Sequence, residues 1–171
     1  EYEFGDGDPI LGSPLRISVM PDTREVTIEY RTDPLAPGLH WMSPEQAQQD
    51  TPYLYSQNET IEARSWIPVQ DSPSVSMTWD ATVRVAPGFM ALMSAENPKE
   101  KSVDGVYTFE MKVPIPAYLQ SLAVADVEFR AIDFRSGVYA IPERLDAAHA
   151  ELQIIPPMMT EAEKICGPYI F

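Results

Sequence analysis

Val75-Ser-Met-Thr-Trp-Asp-Ala-Thr-Val-Arg-Val85 alternates apolar and polar residues without a break. Successive side chains of an extended chain point to opposite faces, so Val75, Met77, Trp79, Ala81, Val83 and Val85 form one apolar face. The period predicts a long, half-buried β-strand. Beyond it, Pro87-Gly88 turns the chain and residues 89–95 form another strand. Upstream, Leu15, Ile17 and Val19 alternate with polar neighbours, as do Val26, Ile28 and Tyr30 after the Pro21-Asp22 turn, which predicts an antiparallel pair. Gly5-Asp-Gly-Asp-Pro9 reads as a turn between two strand ends. Residues 39–42, 106–113, 118–124, 127–134 and 137–141 add short strands, the Pro114-Ile-Pro116 run interrupting two of them. Residues 43–51 start like a one-turn helix and continue as a loop, and the charged segment 96–105 reads as an exposed, mobile loop.

After residue 141 the period changes. Leu145, Ala148, Leu152 and Ile155 lie on one stripe of a helix over 142–155, and Met159, Ala162 and Ile165 on one over 157–166, stopped by Gly167 and Pro168. Both are too short to be stable alone in water, so each needs a packing partner. The fold expected is therefore mainly β. Nine or ten short strands form a saddle- or sandwich-like assembly of mixed and antiparallel sheets, with two short helices at the C-terminus.

Composition bounds the function. The chain has 171 residues, 44% of them apolar and 10% aromatic, as in a globular protein with a core of its own. A net charge of −14 argues against nucleic acid or an anionic membrane as partner and favours cationic ligands. The single cysteine, Cys166, excludes an intrachain disulfide and any cysteine-based zinc cluster. It reads as an inert, buried thiol. No apolar run approaches the roughly 20 residues that cross a bilayer. The 17 prolines punctuate the chain and do not gather into a linker. The chain opens at Glu1 without methionine, as a cut-out piece would, so cytoplasmic and exported (periplasmic) locations both stand open.

The chemistry lies in residues 52–75, which open with Pro52-Tyr-Leu-Tyr-Ser-Gln-Asn-Glu-Thr-Ile-Glu-Ala63 and read as extended that far. In that conformation Gln57 and Glu59 point the same way, one pleat apart, with Ile61 and Ala63 continuing the face. An amide beside a carboxylate suits a small cation, because both oxygens accept hydrogen bonds from an ammonium. The plainer reading is a solvated strand face.

Ser56-Gln-Asn-Glu-Thr-Ile-Glu-Ala-Arg-Ser-Trp-Ile-Pro-Val-Gln-Asp-Ser-Pro-Ser-Val75 resembles the segment that recognises the substrate amine in zinc aminopeptidases of the leukotriene hydrolase branch, which are gluzincin metallopeptidases. Leu39-His-Trp-Met-Ser-Pro-Glu-Gln46 resembles that branch's Trp-x-x-Pro-Glu-Gln run. Ala91-Leu-Met-Ser-Ala95, Lys112-Val-Pro-Ile-Pro-Ala-Tyr-Leu119 and Gly167-Pro-Tyr169 follow in the same order.

The resemblance implies an N-terminal β domain over residues 1–136 and the beginning of a thermolysin-like catalytic domain over 137–171. It implies that Gln57 and Glu59 bind the free α-amino group of peptide substrates. Arg64, Pro68, Asp71 and Pro73 match a framework implied to be structural. The pattern of the leukotriene hydrolase itself is Gln-x-Gln where this chain has Gln57-Asn58-Glu59, a departure toward peptide amines. The family's zinc lies on a His-Glu-x-x-His helix absent from these residues. His40 reads as a packed or edge histidine and His149 as lying on the polar side of its helix. The chain is thus expected to hold neither metal nor catalytic group and to depend on the rest of its catalytic domain. Two alternatives remain: a non-catalytic β module for ligand binding or interaction, and part of a bifunctional epoxide hydrolase/aminopeptidase.

Overall fold

The computed structural model describes residues 1–170. The alternating stretch forms β5 (Ser76–Arg84), with Met77, Trp79, Ala81 and Val83 half-buried and the residues between them exposed. Its antiparallel neighbour is β7 (Val106–Pro116), which sets Ala81 opposite Phe109 and Val83 opposite Tyr107, with a register shift between Met77 and Trp79. β7 runs through Pro114 and Pro116, where the sequence pattern suggests an interruption. Its only neighbour among the described residues is β5, and a strand with one open edge tolerates prolines that a central strand would not.

A second sheet takes β3 (Leu39–Met42), β4 (Tyr53–Ser56), β8 (Leu122–Ala125) and β6 (Met90–Met93), in that spatial order. Two hairpin-like pairs complete the β structure: β1 (Tyr2–Phe4) with β2 (Leu15–Ile17), and β9 (Glu128–Ala131) with β10 (Gly137–Ala140). Met90, Ala91, Met93, Tyr107, Phe109, Ala125, Val127 and Ile141 make the buried core where the four-stranded sheet meets the β5–β7 ribbon. The structure is mainly β with helices at the C-terminus, as the periodicities predict. Every pairing among the described strands is antiparallel, so no mixed sheet occurs among them.

Three segments differ from expectation. Residues 26–30 are not a strand: β2 pairs with β1, and Val26, Ile28 and Tyr30 remain 47%, 36% and 53% exposed. Alternation makes a strand only where a neighbour and a core receive it. Residues 117–119 form a 3-10 turn, so β8 starts only at Leu122. The 96–105 loop is tied down: the Asn97 side chain accepts from the Met93 N–H (2.8 Å), and the Ser102 N–H donates to the Tyr107 hydroxyl (2.8 Å).

One-turn helix α1 (Pro44–Ala47) is closed by a capping box in which Ser43 and Gln46 satisfy each other's backbone N–H groups. Replacing Ser43 by alanine is expected to cost about 1 kcal/mol, read from a denaturant melt. At the other end, helices α2 (Leu145–Glu151) and α3 (Ile155–Cys166) are joined by a 3-10 turn over Leu152–Ile154. No helix among the described residues is long and apolar enough to cross a membrane.

The β9–β10 turn links the β structure to α3. Asp133 accepts hydrogen bonds from the Arg135 N–H (3.0 Å), the Ser136 N–H (2.7 Å) and the Ser136 hydroxyl (2.6 Å). Arg135 reaches Glu163 at 2.8 Å, and Glu163 also accepts from the Tyr169 N–H at 3.0 Å. The Arg135 hydrogen bond holds the Glu163 carboxyl below its ordinary value of 4.5, and the Ser136 hydroxyl lowers Asp133 in the same way. A carboxylate depressed in the folded state stabilises the fold above its unfolded pKa, and that contribution is lost as pH falls through the folded value. The thermal midpoint is expected to drop on acidification below the ordinary carboxylate range, and to drop less in Glu163→Gln. A midpoint profile that Glu163→Gln leaves superimposable would contradict this.

Candidate functional site

β4 ends at Ser56, but its ladder with β3 runs one residue further, because the Gln57 N–H donates to the Gly38 carbonyl (3.0 Å). The chain then turns. The Glu62 N–H returns to the Asn58 carbonyl (3.0 Å), and a 3-10 turn follows over Ala63–Ser65. The Glu59–Thr60 peptide is cis. Residues 57–63 are therefore a folded loop and not a strand. Ala63, expected on the same face as Gln57 and Glu59, is fully buried inside the turn.

Gln57 and Glu59 are both exposed, and the residue between them, Asn58, is 2% exposed. The Gln57 Oε1 accepts the Glu59 backbone N–H at 3.2 Å. An amide oxygen has two lone pairs, so Oε1 keeps one for a ligand. Among the described residues Glu59 makes no ion pair; the seven salt bridges lie elsewhere. Glu59 is presented to solvent, and an ionised carboxylate there can accept charge-assisted hydrogen bonds from an ammonium group.

The residues that hold this loop are ones that no sequence motif marks. Asn58 points inward: its Oδ1 accepts from the Trp66 indole N–H (2.8 Å) and its Nδ2 donates to the Gln120 carbonyl. The Ser65 hydroxyl accepts the Gly38 N–H (2.9 Å) and donates to the Glu62 carbonyl (2.7 Å). A Cβ on Gly38 would lie 2.5 Å from the Glu62 carbonyl oxygen and 2.8 Å from Ser65 Oγ, so only glycine lets β3 approach the loop this closely. The available signal is the alternation itself. If residues 57 and 59 face outward, residue 58 faces inward, and a buried amide must have partners.

Arg64 and Asp71 come together behind the loop. Asp71 Oδ2 accepts from the Arg64 backbone N–H (3.0 Å) and Nε (3.3 Å), with the carboxylate almost fully buried. The guanidinium also donates to the Leu11 carbonyl (3.1 Å) and to the Asp71 carbonyl. Pro68 and Pro73 are exposed on the connection to β5, where Pro73 and Ser74 form a turn closed by Val75 N–H to Ser72 carbonyl (2.9 Å).

The remaining candidates lie apart. The His40 ring stacks on Tyr55 at 5.1 Å between centroids, and His149 Nε2 sits 3.1 Å from the Ala131 carbonyl oxygen. Cys166, expected to be buried, is exposed at the end of α3, which presents that end to solvent. No group of three or more His, Cys, Asp or Glu among the described residues is placed to hold a metal ion, so these residues do not fit a zinc site. An open groove of about 1490 Å³ runs along β7 and the 94–102 loop and does not include Gln57 or Glu59. Gln57 and Glu59 stand on an exposed loop away from that groove.

Residues 15–119 match the family described as the peptidase M1 N-terminal domain. The chain belongs to this family. Leucine aminopeptidase 2 of Yarrowia lipolytica is 36% identical over 99% of the chain and 27% of its own length. Aminopeptidase B of Mus musculus is 36% identical over 88% of the chain and 23% of its own length, and leukotriene A-4 hydrolase of Xenopus laevis is 34% identical over 99% and 30%. The native yeast LTA4 hydrolase structure superimposes with a TM-score of 0.87 at 32% identity, over 99% of this chain and 27% of that one. The chain spans about a quarter of the length of these relatives. Both the mainly β fold and the affinity to aminopeptidases agree with the sequence resemblance.

Proposed function

We propose that this chain is the N-terminal part of a zinc aminopeptidase and supplies the recognition of the substrate's free α-amino group. Gln57 and Glu59 make the contact, while Arg64, Asp71, Pro68 and Pro73 hold the frame. The observation that carries this is the exposed Glu59, in no ion pair among the described residues, on the same loop as the exposed Gln57, whose amide oxygen accepts the Glu59 backbone N–H. An aminopeptidase must tell a chain end from an internal amide, and a carboxylate facing the reaction cleft favours an ammonium and disfavours a neutral group. A glutamate, where the leukotriene hydrolase pattern has a second glutamine, favours peptide amines over a lipid epoxide.

Residues 137–171 are the opening elements of the catalytic part in this proposal, the division falling in the β9–β10 turn. Zinc and the general base come from the remainder of the parent enzyme, where a zinc ion supplies an activated water for attack on the first peptide bond. Residues 1–171 alone are catalytically silent. The test compares the full-length protein with the 171-residue chain on aminoacyl arylamides and their N-acetylated counterparts. The full-length protein is expected to cleave only the free amines, to lose activity to a chelator and to regain it with zinc. Turnover and stoichiometric zinc in the 171-residue chain would sink the silent assignment. A full-length protein inert on every arylamide would favour a non-catalytic binding module.

A further inference from the structure

We propose that Asn58 is the positioning residue of the amine site, acting on substrate through the exposed Glu59 next to it. This inference rests on the assignment of Glu59 to the substrate amine.

The exposed pair stands on a loop, and loops by themselves place side chains loosely. Asn58 removes that freedom. Its amide joins three separate pieces of chain: the site loop, the 3-10 turn that carries Trp66, and Gln120 at the start of the connection to β8, 62 residues away in sequence. Asn58 is buried while its two neighbours, Gln57 and Glu59, are exposed, so anchoring the Asn58 side chain inward fixes the stretch of backbone that carries both of them. The Glu59 backbone N–H, donated to the Gln57 Oε1, then ties the Gln57 amide to the same piece of backbone.

The chemistry requires a side chain that both accepts and donates. Trp66 offers only a donor and the Gln120 carbonyl only an acceptor, so the residue between them must satisfy each in turn. Asparagine does both. Aspartate, with two acceptors, keeps Trp66 and sets a charge against the Gln120 carbonyl. An aliphatic residue removes both hydrogen bonds and leaves the buried Gln120 carbonyl without this donor.

A merely structural amide would lower stability and leave no mark specific to Glu59. Coupling between the two residues distinguishes the cases. The experiment uses the full-length parent enzyme and an aminoacyl arylamide. Asn58→Asp and Trp66→Phe are each measured alone and in the Glu59→Gln background, with thermal melts confirming folding. Each single variant is expected to lower kcat/KM about tenfold, mostly through KM, whereas in the Glu59→Gln background each lowers it less than about twofold. Equal losses in both backgrounds overturn the proposal, as does a folded single variant with unchanged kcat/KM. If Asn58→Asp does not fold, Trp66→Phe, which deletes only the indole donor and keeps the aromatic body, carries the test. Should Glu59→Gln alone leave kcat/KM unchanged, the amine assignment itself fails, a result separate from additivity at Asn58.

Discussion

Glu59→Gln in the full-length parent enzyme is expected to lower kcat/KM for aminoacyl arylamides about 100-fold. Glutamine keeps the length of the side chain and one acceptor oxygen, so the change isolates the charge. Hydrogen bonds to charged groups contribute about 1.5–3 kcal/mol, and each 1.4 kcal/mol is a factor of about ten. The loss falls on substrates with a free amine. An analogue carrying a hydroxyl in place of the amine is expected to change little, because it brings no positive charge for the carboxylate to meet. The measurement is a pair of kcat/KM ratios, amine over hydroxyl, for the parent and the variant. A ratio that does not move would remove Glu59 from amine recognition. Losing both substrates equally would point to damage of the loop and not to a missing charge.

The framework behind that loop is easier to read in the sequence than the loop itself. Residues 75–85 declare their strand because an unbroken period of two matches an extended chain and no helix, and β5 follows it almost residue for residue. Residues 26–30 carry the same period and make no strand, since period records only what a segment could bury. Whether anything receives Val26, Ile28 and Tyr30 depends on strands distant in sequence. The site loop fails in the opposite direction. Extension through Ala63 is a reasonable local inference from β4, but the Glu62 N–H to Asn58 carbonyl bond closes a turn that no periodicity announces. The partners of Asn58 are invisible for a related reason: Trp66 reaches it only when that turn closes, and Gln120 only when β4 and β8 pair. Gln57 and Glu59 can be named from the resemblance, and their exposure is what a ligand-facing pair needs.

Arg64→Met is expected to destabilise the fold more than Asp71→Ala, although the two residues share one ion pair. The asymmetry follows from burial, the side chains being 29% and 2% exposed respectively. Without the Asp71 carboxylate the guanidinium still reaches water and keeps the Leu11 and residue-71 backbone carbonyls as acceptors. Without the guanidinium, a buried carboxylate is left with a single donor, the Arg64 backbone N–H. Removing one partner of a buried pair costs about 3–5 kcal/mol. That range applies to Arg64→Met, and about 2 kcal/mol to Asp71→Ala, where solvent screens the surviving charge. For a chain of this size about 2–4 °C of midpoint accompanies each kcal/mol, so Arg64→Met should melt about 10 °C lower. The double variant Arg64→Met/Asp71→Leu tests the cause. With neither charge left to bury, it should be more stable than Arg64→Met alone. If it melts lower than Arg64→Met, the lost stability belongs to packing and to the backbone contacts of the 64–71 turn, and the buried charge is not its origin.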